Sequence, residues 1–142
     1  MRLILAVWML LTAALQAKPY SGRVKIAEET LIQARDKGID YPAKIDLAID
    51  GSADDLRDFI RLIGQLDTSG AYFHYFQVYE VATLAGDKKM RAAIANFTKS
   101  ELSALSEGLG EAQGWAKPKR RFTESFPQTT ALMRRVGIRP PQ

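Results

Sequence analysis

The stretch AYFHYFQVYEVATLA, residues 71–85, decides the fold class. At about 100° per residue, its aromatic side chains fall on one side of a helix, and valine and alanine side chains occupy much of the other side. A helix that is apolar around most of its circumference is usually a buried one. Aromatic and β-branched residues are also common in strands, but fifteen residues without a turn signal favour a helix. We therefore expect a central, buried helix here.

Weaker helical patterns lie on both sides of this stretch. Apolar residues recur at three- and four-residue steps over 22–37, and a short helix is expected after Pro42. Ser52 followed by Asp55, and Thr98 followed by Glu101, have the spacing of capping boxes at helix N-termini. These signals predict an all-α fold with about five short antiparallel helices.

The helix that follows Thr98 is expected to end at Gly114, so we place the helical domain at 18–114. From about Ser52 to Gln113, the succession of short antiparallel helices resembles the helical pairs of HEAT-type and other α-α arrays. This resemblance concerns architecture alone and implies no functional residue. The expected fold is a small bundle or a HEAT-like array.

The first seventeen residues have the three regions of a secretory signal peptide. Arg2 is followed by an apolar run over 3–15, and the small residue Ala17 precedes Lys18. The run is shorter than the roughly 20 apolar residues of a membrane-spanning helix. We therefore predict that residues 1–17 are removed and that the protein is exported, to the periplasm or outside the cell. An uncleaved anchor and a buried N-terminal helix are the alternatives.

Cysteine content and charge restrict the function further. The chain has no cysteine, which excludes disulfides, thiol catalysis and zinc–thiolate sites. Residues 18–116 carry 12 Lys and Arg against 15 Asp and Glu, whereas residues 117–142 carry 7 against 1. The region 115–142 also contains four of the six prolines, so we expect a basic, partly extended C-terminal tail that packs partly on the domain.

This tail contains the candidate binding residues. Its cations can hold anionic groups while neighbouring rings insert or stack, which suits an anionic membrane surface. Nucleic acid would be attracted for the same electrostatic reason, but export argues against it. The alternative is a solvated tail whose apolar side chains pack on the body. The six candidates are Trp115, Lys117, Lys119, Arg120, Arg121 and Phe122.

His74, the only histidine, is the single candidate for a general base. On a helix it lies beside Val78 and Val81 and about 120° from Glu80, as expected of a hydrogen-bonded packing residue. Its alternative role is that of a base in an aromatic pocket. One histidine and no cysteine cannot form a structural zinc site, and we expect no metal and no cofactor.

Two further patterns carry little functional weight. Asp46, Asp50, Asp54 and Asp58 recur every four residues, but Gly51 interrupts the helix, so helix capping and favourable charge near helix N-termini are the expected explanation. A weak calcium site is the alternative. Asn96 begins an N-glycosylation sequon. The sequence thus favours a non-enzymatic protein that binds another protein, with a His74 enzyme and membrane binding through the tail as alternatives.

Overall fold

The computed structural model describes residues 20–142, and within them every regular element is helical. The predicted all-α fold is confirmed, but the count of about five helices is wrong, because six helices lie before the tail and two more lie within it. A short 3₁₀-helix covers Leu62–Gln65. The eight α-helices are α1 Glu28–Asp36, α2 Tyr41–Asp50, α3 Ala53–Arg61, α4 Thr68–Ala85, α5 Asp87–Ile94, α6 Lys99–Ala116, α7 Phe122–Ser125 and α8 Pro127–Arg135.

Both predicted capping boxes are present. The Ser52 hydroxyl accepts the Asp55 N–H at 3.2 Å, and the Asp55 carboxylate accepts the Ser52 N–H at 2.7 Å. Thr98 and Glu101 make the same reciprocal pair at 3.1 and 2.8 Å. Each pair satisfies backbone donors that a helix leaves unpaired in its first turn. The starts of α3 and α6 are therefore fixed by local chemistry.

α4 is the centre of the molecule. It packs against α1, α2, α3, α5 and α6, and its inner residues Val78, Val81 and Ala82 are fully buried. α6 approaches it closely at Gly108, where a Cβ atom would lie 2.3 Å from the ring of Tyr75. A larger residue there would displace the Tyr75 ring or the helix backbone.

The first helix starts later than the sequence pattern indicates. α1 begins at Glu28 instead of near residue 22, and residues 20–27 are not helical. Ser21 binds Asp46 through its backbone N–H, and Val24 is 2% exposed. Val24 thus joins the core, and Tyr20 and Ile26 pack partly against it, although the segment is not helical. A local periodicity cannot reveal such long-range contacts.

The tail joins the body through α8. The carboxylate of Asp87, in the first turn of α5, accepts the backbone N–H groups of Gln128 and Thr129 at 2.7 and 2.9 Å. It therefore caps α8 from another helix, and α8 packs on α5. Gly137, which the sequence places after this helix, has the positive φ of 78° typical of a helix C-terminus.

The predicted signal peptide, residues 1–17, lies outside the described residues. Among residues 20–142, no helix is both long enough and apolar enough to cross a membrane.

Candidate functional site

Five of the six candidate residues are exposed and close together in the chain. Trp115 lies in the last turn of α6 with 72% of its surface exposed. The connection that follows, residues 117–121, is exposed throughout, and we call it the basic loop. Within residues 20–142, none of its cations forms an ion pair with a carboxylate. The cations of the basic loop are Lys117, Lys119, Arg120 and Arg121.

Phe122 does not belong with them. Its side chain is fully buried, and its ring stacks on Phe126 with centroids 4.6 Å apart. The expectation that this ring is available to insert or stack against a ligand is therefore corrected: Phe122 anchors the tail to the body. The alternation of charged and aromatic residues could not distinguish an exposed Trp115 from a buried Phe122, because it does not show which ring packs against other hydrophobic side chains.

Helix α6 continues past the glycine that was expected to end it. Gly114 is helical, and the helix ends after Ala116, where Lys117 adopts the left-handed conformation with φ 45°. A glycine inside a helix costs only about 1 kcal/mol relative to alanine, so packing on α4 can carry the helix through it. The additional residues place Trp115 on the helix and not in the loop.

Trp115 is part of an aromatic cluster on the outer face of α4, formed by Tyr72, Phe73, Phe76 and Trp115. The Trp115 ring centroid lies 6.3 Å from that of Phe76, and Phe76 lies 5.0 Å from Tyr72 and 5.9 Å from Phe73. The indole N–H of Trp115 donates to the Tyr72 hydroxyl at 3.1 Å. These contacts orient a ring that otherwise projects into solvent. The sequence assigned Tyr72 and Phe76 to a buried face, so their surface role was missed.

The basic loop is closed by one side chain. The side-chain carbonyl of Gln113 accepts the backbone N–H of Phe122, which joins the two ends of the loop. The amide nitrogen of Gln113 donates to the backbone carbonyl of Gln142 at 2.6 Å. Gln113 is 9% exposed, and its bond to Phe122 is buried, whereas its bond to Gln142 is partly buried. A single buried amide therefore holds the loop and the far end of the tail together.

A concave pocket lies on each side of the aromatic cluster. One, of about 380 Å³, is bordered by Phe73, Phe76 and Trp115 and also by Gln77 and Glu80. We call it the Trp115 pocket. The other, a groove of about 940 Å³ between α4 and α6, is lined by Tyr72 and by three carboxylates, Asp67, Glu107 and Glu111. Carboxylates therefore line the groove directly beside rings of the aromatic cluster.

His74 lies on the opposite side of α4 and is fully buried. Its Nε2 is 3.3 Å from the carbonyl of Ile60, which can only accept, so Nε2 carries the proton and donates. Nδ1 is then an acceptor, and the Tyr41 hydroxyl donates to it over 2.6 Å. Burial lowers the pKa of His74 to about 4, so the ring is neutral at pH 7.

This geometry does not supply what a His74 general base requires. A general base must reach its substrate, whereas both nitrogens of this ring are bonded to buried protein groups. The rings of Tyr41 and Phe59 pack on it with centroids 5.7 and 4.9 Å away. His74 therefore has the environment of a packing histidine.

The regularly spaced aspartates are engaged in other contacts. Arg23 bonds to both carboxylate oxygens of Asp50 at 2.9 and 2.6 Å and also contacts Asp46. Asp54 pairs with Arg57 at 3.0 Å. In the described part of the chain, no three acidic or histidine side chains are grouped as metal ligands. Asn96 is exposed, and its glycosylation stays a prediction.

Comparison with known proteins gives no match, whether to a family model, to a curated protein or to a solved structure. Function is therefore inferred from the surface around Trp115.

Proposed function

We propose that this protein is an exported, non-enzymatic binding protein whose partner is another protein. The partner is held at the surface formed by the aromatic cluster and the basic loop. One observation carries this proposal: Trp115 is 72% exposed, oriented by neighbouring rings, and adjacent to four cations without ion pairs in the described part of the chain. Tryptophan and arginine are the residue types that most often dominate binding energy at protein interfaces.

The distribution of charge supports a protein partner over an anionic membrane. The groove between α4 and α6 contributes Asp67, Glu107 and Glu111 beside Tyr72 and Phe73 of the aromatic cluster. A uniformly anionic lipid surface would attract the loop but repel these carboxylates. A protein surface can carry both signs of charge and match each side.

Export is part of the proposal and rests on the sequence of residues 1–17. The periplasm or the cell exterior is the compartment in which we expect the partner. Mass spectrometry of the protein from its producing cells tests this: a chain beginning at Lys18 is expected, and a cytosolic chain beginning at Met1 would contradict export.

The partner test compares variants in affinity capture from an envelope extract. Wild type is expected to recover one stoichiometric protein, and Trp115→Ala to lose at least about tenfold in affinity for it, as expected at an interface hot spot. The matched control is Leu47→Ala, which removes an exposed apolar side chain (49% exposed) on α2. If both variants capture the partner equally, the surface is wrongly assigned.

Membrane binding through the tail is the second candidate, and the exposed tryptophan beside four cations is what favours it. Each cation near an anionic membrane contributes about 1 kcal/mol, so attachment would be weak and sensitive to salt. Sedimentation with phosphatidylglycerol vesicles at low salt decides it. Equal pelleting of wild type and of a triple variant, K119Q/R120Q/R121Q, would reject this candidate.

A further inference from the structure

We propose that the Trp115 pocket binds a protonated amine carried on a short apolar chain. At about 380 Å³, the pocket is within the usual range for small-molecule sites. The inference rests on the groups that line this pocket and not on the cations of the basic loop, although Trp115 belongs both to the pocket and to the proposed partner surface.

The walls of the pocket are aromatic. Phe73 and Phe76 contact each other with ring centroids 5.9 Å apart, and Trp115 lies beside Phe76. The faces of such rings attract cations, and tryptophan does so most strongly. They also bury the methylene groups of a short chain. The walls therefore suit a ligand that is apolar along its length and positively charged at one end.

Glu80 is the charged acceptor that the pocket offers a ligand, beside the donors Lys25 and Tyr79. The backbone carbonyl of Lys25 receives the side-chain N–H of Gln77 at 3.3 Å, and the backbone N–H of Lys25 bonds to the carboxylate of Glu80. The side-chain oxygen of Gln77, Oε1, has no hydrogen-bond partner within residues 20–142, but it is shielded from solvent and therefore does not face the open pocket.

The charge of Glu80 favours a cationic ligand over a neutral hydrogen-bond donor. Glu80 is the carboxylate of the pocket, and burial raises its pKa while its bond to the backbone opposes that shift. The ammonium of Lys25, an exposed residue, is the opposing charge. We therefore expect opposite effects from the two charges. Removal of the Glu80 charge should weaken amine binding, and removal of the Lys25 charge should strengthen it.

The test is a titration of the full chain carrying Trp8→Phe, so that the fluorescence comes from Trp115 alone. The probes are n-pentylammonium chloride and 1-pentanol, with sodium chloride as the ionic-strength control. We expect saturable quenching by the amine, with binding about tenfold tighter than that of the alcohol. Glu80→Gln should lower amine affinity about tenfold, and Lys25→Gln should raise it a few-fold. Glu107→Gln, outside the pocket, is the matched control.

Several outcomes would overturn the inference. Equal binding of amine and alcohol would show that charge plays no part, and unchanged binding in Glu80→Gln would place the amine elsewhere. Tighter binding of pentanoate than of pentylammonium would show that the pocket prefers an anion to a cation. Thermal unfolding of each variant confirms that it is folded before titration.

A second pair of probes identifies the source of the amine. Nα-acetyl-lysine methylamide is compared with pentylammonium, and Nα-acetyl-norleucine methylamide is its uncharged control. Tighter binding of the lysine derivative supports a partner's lysine side chain, and tighter binding of pentylammonium supports a free amine. In either case, partner capture by the Trp115 surface is measured separately, so one hypothesis can fail without the other.

Discussion

Helix α4 contributes to two groupings of aromatic side chains, one around His74 and one around Trp115, which differ in their exposure to solvent. Around His74, the rings of Tyr41 and Phe59 are fully buried, and both imidazole nitrogens have partners. Around Trp115, the indole ring is 72% exposed. The first grouping is part of the core, and the second is open to solvent. Residue types alone therefore do not reveal a functional site, because similar aromatic side chains can be covered by a neighbouring helix or left exposed.

The largest expected difference between the two groupings is in stability. Phe59→Ala removes a fully buried ring, and it should lower the free energy of unfolding by about 3–5 kcal/mol. Phe76→Ala removes a half-buried ring of the aromatic cluster and should cost no more than about 2 kcal/mol. Urea unfolding followed by circular dichroism measures both. Equal losses would show that the Trp115 grouping is as much a part of the core as the His74 grouping.

The next difference is in pH dependence. The pKa of His74 is lowered from 6.5 to about 4 by burial, so the unfolded chain takes up its proton at a higher pH than the folded chain does. The stabilisation is complete above pH 6.5 and is lost as the pH falls towards about 4. The full loss amounts to about 3 kcal/mol.

This dependence is checked by urea unfolding at pH 7, 5.5 and 4.5 in wild type and His74→Gln. The variant lacks the titrating ring, so its stability should vary less over this interval, and the difference between the two curves isolates His74 from the carboxylates. Parallel curves would mean that the ring is not sealed in solution.

The smallest difference concerns single hydroxyl groups. Tyr41→Phe leaves the buried Nδ1 of His74 without its donor and should cost about 1–3 kcal/mol. Tyr72→Phe removes the acceptor of the Trp115 indole N–H, which water can replace because Trp115 is exposed. Its expected cost is below about 0.5 kcal/mol. Thermal unfolding of both variants decides whether the two hydrogen bonds differ as their burial indicates.

Local signals in the sequence predict the parts of the fold that depend on neighbouring residues. The capping boxes at Ser52 and Thr98 and the helical state of residues 71–85 each follow from residues a few positions apart, whereas the partial exposure of the aromatic face of 71–85 does not. The position of Lys117 as the left-handed end of α6 could not be found this way, because glycine normally occupies that conformation and Gly114 was nearby.

The candidate site could be predicted only in part, since its geometry depends on contacts between distant residues. Trp115 and the basic loop are visible in the composition of the tail. Tyr72 lies 43 residues before Trp115 in the chain, and Tyr41 lies 33 residues before His74. No periodicity links such pairs. The burial of Phe122 likewise depends on Phe126 and on the packing of the tail.

The bond from the backbone of Phe122 to the side chain of Gln113 has a consequence for affinity. It closes a ring of residues that contains all four cations of the basic loop, and Gln142 holds the same amide from the other side. Folding has already restricted the basic loop. The loop therefore loses less conformational entropy on binding a partner than an open segment would. Preorganisation of this kind shows up mainly as slower dissociation, so a charged loop closed in this way can retain a partner longer than its few contacts would suggest.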